Sequence, residues 1–245
     1  AEARRRVEDT LERRRRVLGE DHPETLHSAH NLAVTLGNFG LRAEARRLDE
    51  DTLERRRRVL GEDHPETLQT AHSLAVTLGN LGLHAEARRL DEDALERRRR
   101  VLGEDHPETL HSAHSLAVTL DDLGLRAEAR RLDEDTLERR RRVLGEDHPD
   151  TLHTAHSLAV TLGNLGLRAE ARRLDEDTLE RRRRVLGEDH PDTLHTAHNL
   201  AVTLHDLGLH AEARPMHENT LERRRRVLGE DHPDTLQTAQ ALASC

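Results

Sequence analysis

The chain has 245 residues, 36% of them charged and 34% apolar, and a formal net charge of −9 at pH 7. That balance excludes a general nucleic-acid binder, because an acidic chain is repelled by a polyanion. Leu, Ala and Val at fixed helical spacing exclude a disordered chain. No apolar run reaches the length of a membrane span or signal peptide, and a single cysteine, Cys245, leaves no internal disulfide and fits a cytoplasmic setting. Every basic residue other than His is Arg, and Ile, Trp and Tyr are missing, a bias that points to a GC-rich, bacterial coding sequence.

The string Leu-Glu-Arg-Arg-Arg-Arg-Val-Leu-Gly-Glu-Asp-His-Pro starts at residues 11, 53, 95, 137, 179 and 221, a step of 42 residues. A segment of that length is too short to bury a core alone, so the copies must stack. One array over 1–245 is expected: a partial unit 1–20, units 21–62, 63–104, 105–146, 147–188 and 189–230, and a partial unit 231–245. Ala1 falls inside a repeat, so the chain is expected to be a fragment.

In chain order, the first element is a helix B near 1–18. In the unit 21–62, Asp21-His22-Pro23-Glu24 reads as a helix start with Asp21 as cap and Glu24 reaching back. Leu26, Ala29, Leu32, Ala33 and Leu36 then form one apolar face, giving helix A over 23–38. Gly40 ends it. Helix B follows over 41–60 with a stripe of Leu41, Ala45, Leu48, Thr52, Leu53, Val59 and Leu60, and Gly61 stops it. Five such A/B pairs and a last helix A near 233–244 bring the expected total to about 12 helices. In the fifth pair Pro215 replaces Arg, so its helix B is expected to start late or to bend.

The Arg blocks at 13–16, 55–58 and their copies read mainly as solvated structure, since Asp51 and Glu54 lie four residues before Arg55 and Arg58. Four consecutive helical residues sweep about 300° of the helix, so one Arg must turn inward. Arg55 or Arg56 lies between Thr52 and Val59 on the stripe. The expected seam therefore pairs an Arg with an Asp between repeats: Asp49 with Arg56, Asp91 with Arg98, Asp133 with Arg140 and Asp175 with Arg182.

On helix A, His27 and His30 stand three residues apart, and the pattern returns as His111/His114, His153/His156 and His195/His198. The linker histidines His22, His64, His106, His148, His190 and His232 read as helix-start structure. No Gly-rich phosphate loop, Cys pair or nucleophile motif appears, so catalysis and a cofactor are not expected.

Asn31-Leu32-Ala33, Leu36, Gly40 and Ala45, with the 42-residue period and the Leu-Gly-Glu-Asp-His-Pro linker, resemble the tetratricopeptide-repeat family in its longer class, found in kinesin light chains and many bacterial proteins. The usual aromatic positions are absent, and Asp49 and Thr52 stand where that family commonly has an aromatic and an alanine. The resemblance implies an all-α, right-handed superhelical solenoid of antiparallel helix-turn-helix repeats, a concave face lined by helix A, protein binding and no catalysis. Carried over by position, it implies groove sites at His27, His30, Val34 and Asn38, then at His72, Val76 and Asn80. The third set is His111, His114, Val118, Asp121 and Asp122. The fourth is His153, His156, Val160 and Asn164, and the fifth is His195, His198, Val202, His205 and Asp206. Three readings stay open for this ladder: a peptide-binding groove, a solvated polar groove without a ligand, and weak metal binding by His111, His114, His153 and His156. As free imidazoles the ladder would gain charge near pH 6.

The expected function is a non-enzymatic scaffold that binds a protein or peptide segment in the helix A groove, with no nucleic acid and no membrane as partner. One alternative is a structural array that self-associates head-to-tail, because the last helix A and the first helix B are halves of one hairpin. Another is a regulatory sensor module of a larger bacterial signalling protein.

Overall fold

The computed structural model describes residues 2–244. Ala1 and Cys245, and the expectations that rest on them, lie outside the described residues. Among those residues there are twelve helices: α1 Glu2–Leu18, α2 Pro23–Asn38, α3 Arg42–Val59, α4 Pro65–Asn80, α5 His84–Leu102, α6 Pro107–Asp122, α7 Arg126–Leu144, α8 Pro149–Asn164, α9 Arg168–Leu186, α10 Pro191–Asp206, α11 His210–Leu228 and α12 Pro233–Ala243. Even-numbered helices are helix A of the repeat and odd-numbered ones helix B. The chain divides into two compact halves, Ala1–Gly124 and Leu125–Cys245. In the first, α1 to α6 pack each against the next; in the second, α7 to α12 do the same.

Each apolar cluster draws on three successive helices. Leu53 of α3 meets Ala71, Leu74 and Leu78 of α4 and Ala87 of α5. Leu179 of α9 meets Ala197, Leu200 and Leu204 of α10 and Ala213 of α11. A hairpin alone would leave one flank of these leucines in water, and each fully buried Leu contributes about 1.5–3 kcal/mol. Ala45 and its copies are completely buried, so these positions let the two helices of a hairpin approach closely. The helix B stripe is shorter than expected, for Val59 is exposed and Leu60 only half-buried.

The helix start differs from the expected capping box. His22 is the N-cap, and its Nδ1 accepts a hydrogen bond from Glu24 N–H at 3.2 Å. The following proline explains this. It holds His22 extended (φ −69°, ψ 135°) and takes the first helical position, so the capping role passes from Asp21 to the residue directly before it. The same cap recurs at His64, His106, His148, His190 and His232. Gly40 turns the chain with φ 76°, and Leu41 N–H then donates to Leu36 O at 2.9 Å. Pro215 sits inside α11, which nevertheless starts at His210, in register with Arg168 of α9, so the expected late start does not occur. Ala211 and Pro215 are both exposed, so the carbonyl that loses its donor lies on the solvated side.

One arginine of each of the last five blocks is interior, whereas Arg14 of the first is partly exposed. Arg56, Arg98, Arg140, Arg182 and Arg224 are almost wholly buried. Their hydrogen-bond acceptors correct the expected Asp partners. Arg56 Nη1 donates to Glu66 O and Thr70 Oγ1, both at 2.7 Å, and its Nη2 lies 3.1 Å from Glu66 Oε2. Arg98 uses Glu108 O and Ser112, Arg140 uses Asp150 O and Thr154, and Arg182 uses Asp192 O and Thr196. Asp49, Asp133 and Asp175 act on their arginines through space. The helix geometry accounts for the difference: seven residues along helix B separate Asp49 from Arg56, about 10 Å of rise, and the guanidinium extends to the start of the next helix A instead.

The other arginines of the block form surface bands. Arg55 donates to Asp51 at 3.0 Å and to Asp21 at 2.9 Å. Arg58 reaches Asp21 at 2.8 Å instead of Glu54. Asp63, Asp147 and Asp189 hold their arginine pairs in the same way. Such exposed pairs are screened by solvent and contribute little. Substitution within one helix separates the two roles. Arg56→Gln, which removes charge-assisted bonds worth about 1.5–3 kcal/mol, is expected to lower the urea unfolding midpoint clearly, whereas Arg58→Gln shifts it far less.

Candidate functional site

The helix A face carries the predicted groove residues, and the structure divides them into two classes. Val34, Val76 and Val118 in the first half, and Val160 and Val202 in the second, are exposed. So are Asn38, Asn80, Asp122, Asn164 and Asp206, while Asp121 and His205 are half-buried. His27, His111, His153 and His195 are exposed as well. The second histidine of each pair is different: His30, His114, His156 and His198 are buried, and His72 is half-buried. A step of three residues leaves about 60° between side chains on a helix. That angle carries the second histidine off the groove and into the seam.

In the seam these histidines face the helix B aspartates. His30 Nδ1 lies 3.9 Å from Asp49 Oδ1, and His156 Nδ1 lies 3.5 Å from Asp175 Oδ1. The ring contacts run between repeats. His72 Nε2 and His111 Nε2 are 3.1 Å apart, and the rings of His156 and His195 lie 4.9 Å apart by centroid. Both pairs run between repeats, and they involve His111 and His156 of the four residues named for weak metal binding. No group of three or more His, Cys, Asp or Glu is placed to hold a metal ion among the described residues. In the last hairpin His217 takes the aspartate position, and its ring stands 5.6 Å from that of His198.

The second half holds a cleft of about 160 Å³ between α8 and α10, with α9 behind it. Val160, Asn164, Val202 and Asp206, all predicted groove residues, line it together with Ala159, Gly163, Asn199, Thr203 and Asp175. Ala159, Asn199 and Thr203 lie outside the expected groove set, and the buried Asp175 was expected in the seam. Asn199 was detectable as a departure from the Ser found at residues 73, 115 and 157.

The Tetratricopeptide repeat model matches residues 1–24, 25–66, 67–108, 109–150, 151–192 and 193–234. The chain belongs to the tetratricopeptide-repeat family. Among solved structures, the nearly identical TPR-like repeats of a candidate kinesin light chain from Podosopora anserina are similar at 29% identity with a TM-score of 0.73, covering 84% of this chain and 97% of that one. BtubC (BKLC) from P. vanneervenii is similar at 20% identity with a TM-score of 0.76, covering 94% and 92%. NprR in complex with its cognate peptide NprX is similar in fold at 15% identity with a TM-score of 0.68, covering 97% of this chain and 66% of that one. No curated protein sequence matches the chain. Among the described residues, no helix is long and apolar enough to cross a membrane.

Burial sets the protonation of this tetratricopeptide-repeat seam. Desolvation lowers His72 to about 3, with His111 adding to the effect, and lowers His156 and His198 to about 4, with Arg182 and Arg224 adding to it. His72, His156 and His198 therefore stay neutral at pH 6, contrary to the expectation for free imidazoles. Desolvation raises Asp91 to about 6, opposed by the hydrogen bond from Thr119, and raises Asp175 to about 8, opposed by Arg182 and His195. The two sets act oppositely on stability. From pH 6.5 down to 4 the unfolded chain binds more protons at the three histidines, so acidification destabilises the fold. From pH 6.5 up to 8 the folded chain holds a proton on Asp175 that the unfolded chain has released, so alkalinisation also destabilises it. The melting temperature is expected to peak near pH 6.5 and fall on both sides, and Asp175→Asn is expected to flatten the alkaline limb and steepen the acid one.

Proposed function

We propose that the chain is a non-enzymatic protein-interaction module, acting in the cytoplasm, that takes a peptide or protein segment along its helix A face. The observation that carries this reading is the exposed valine stripe. Val34, Val76 and Val118, and then Val160 and Val202, are 37–50% exposed at successive turns of a 42-residue repeat. Each stands between a histidine on one side and an Asn or Asp on the other. Apolar contact points rimmed by hydrogen-bonding groups suit a chain segment that must satisfy both its side chains and its backbone. The complex of NprR with its peptide NprX supports the class of partner. At 15% identity that likeness carries the fold alone, so the partner's identity and a sensor role are not transferred.

The arginines support protein over nucleic acid as the partner. In the last five blocks one guanidinium is interior, and others are held by carboxylates such as Asp21 and Asp63. Little unpaired positive charge is left to track a phosphate backbone. Selection from a displayed peptide library tests the reading. Selected peptides are expected to lose at least tenfold in affinity for the double variant Val160→Glu/Val202→Glu while its helical circular dichroism stays unchanged. Undiminished binding would place the contact elsewhere.

Head-to-tail association is a second reading with its own support. Leu236 of α12 is 56% exposed, whereas its copies Leu26, Leu68, Leu110, Leu152 and Leu194 are at most 3% exposed. The missing cover is a helix B of the kind that α1 provides. A second copy offering α1 would make a heterologous contact that can propagate. Sedimentation at millimolar concentration is expected to show concentration-dependent growth that Leu236→Glu suppresses.

A further inference from the structure

The seam aspartate has a hydroxyl partner in the first half of the chain. Asp49 Oδ2 accepts from Ser73 Oγ at 3.2 Å, and Asp91 Oδ2 accepts from Thr119 Oγ1 at 2.8 Å. Asp175 departs from this. The position of Ser73 is occupied by Asn199, whose amide turns to His156 Nε2 at 3.2 Å. Asp175 is 1% exposed and its Oδ1 has no hydrogen-bond partner among the described residues. The carboxyl nevertheless lines the cleft between α8 and α10. A buried carboxyl short of hydrogen bonds, at the wall of an open cleft, is a costly feature unless a guest supplies the missing donor.

The chemistry of the walls indicates that guest. Val160 and Val202 offer apolar surface for an aliphatic stem, and Asp206 adds a second carboxylate, shared at 3.3 Å with Arg168. The volume of about 160 Å³ holds one long side chain and no folded element. We propose that this cleft is an anchor pocket for a cationic side chain, an arginine or lysine of the partner segment, with Asp175 as the carboxylate that receives its charge. This rests on the reading of the helix A face as a peptide-binding surface.

Binding carries a pH signature. The groups facing Asp175 are His156 on α8, Arg182 on its own helix α9, and His195 on α10, and Asp206 of α10 lines the same cleft. Despite Arg182, burial keeps the empty pocket's carboxyl protonated up to about pH 8. A cation favours the charged carboxylate, so its arrival expels that proton, and affinity rises with pH until Asp175 is ionised without help. His156 and His195, already lowered by burial, do not titrate in that range.

The experiment uses the full chain and blocked alanine pentapeptides with arginine or citrulline at the centre. Binding is followed by chemical shifts of the His156 and His195 rings. The arginine peptide is expected to bind saturably, about tenfold more tightly at pH 8.5 than at 6.5, and to release a proton detectable in buffers of different ionisation enthalpy. Citrulline, isosteric but neutral, is expected to bind at least tenfold more weakly. Asp175→Asn is expected to abolish the preference for arginine. Asn199→Ser, which restores the hydroxyl found at Ser73, is expected to weaken arginine binding with the fold intact. Equal binding of the two peptides, arginine binding unchanged in both variants, or no saturable binding at all would overturn the proposal. If library-selected peptides still depend on Val160 and Val202 in that event, the anchor fails and the groove reading stands.

Discussion

The cohesion of this molecule depends on a guanidinium that its own hairpin cannot satisfy. Arg56 belongs to α3, yet its acceptors, Glu66 O and Thr70 Oγ1, belong to α4. The same hand-over joins α5 to α6 through Arg98 and, in the second half, α7 to α8 through Arg140 and α9 to α10 through Arg182. A buried charge without partners costs several kcal/mol, so every hairpin is incomplete until the next one docks. The apolar clusters impose the same condition, because each needs three consecutive helices. Helix B is otherwise very polar, and its aliphatic Arg stem lends the seam apolar cover that its few leucines do not supply. Packing and charge thus place the stability at junctions between nearest neighbours, as expected for a solenoid.

The aspartate–histidine line of the seam follows a different logic. Asp49 and His30, or Asp175 and His156, come within 4 Å of each other as buried groups. For His156 and Asp175 burial moves both toward their uncharged forms, the histidine down and the aspartate up. A neutral pair avoids much of the desolvation cost of a buried ion pair. The price appears in the narrow range of pH over which both partners hold that state. In the last hairpin the aspartate gives way to His217 against His198, and desolvation lowers both imidazoles.

Periodicity made most of the fold legible. Leu26, Ala29, Leu32, Ala33 and Leu36 recur on one helical face, and all are buried. Helix A matched its expected span of 23–38, and helix B differed from 41–60 by one residue at each end. Interior polar residues were less legible, because spacing gives a direction around a helix and not the depth of the surface it meets. The pair His27/His30 looked like one face, but 60° divides groove from seam when another helix packs beside it. The inward Arg was narrowed to Arg55 or Arg56, while its acceptors lay ten and fourteen residues away in a different helix. That link appears in sequence only as a Ser or Thr standing fourteen residues after each inward Arg, a spacing without meaning until the hairpins are stacked.

Near-identity of the repeats also limits how a groove of this kind can recognise anything. On the proposed reading, equivalent valines at 42-residue steps offer a bound segment the same contact at every register, so the shared residues would supply affinity without fixing its position. Selectivity is a difference in free energy between alternatives, and here it must come from positions where copies disagree. On the helix A face those departures include Gln69 in α4, Asp121 and Asp122 in α6, and in α10 Asn199 in place of the Ser of α4, α6 and α8, His205 in place of Gly and Asp206 in place of Asn. Asn199 stands where Ser73 serves Asp49 in the first half, and Asp206 places a carboxylate at the cleft that Asp175 lines. The α10 departures thus fall at a cleft lined by a buried acid, which on the proposed reading is where a register can be set.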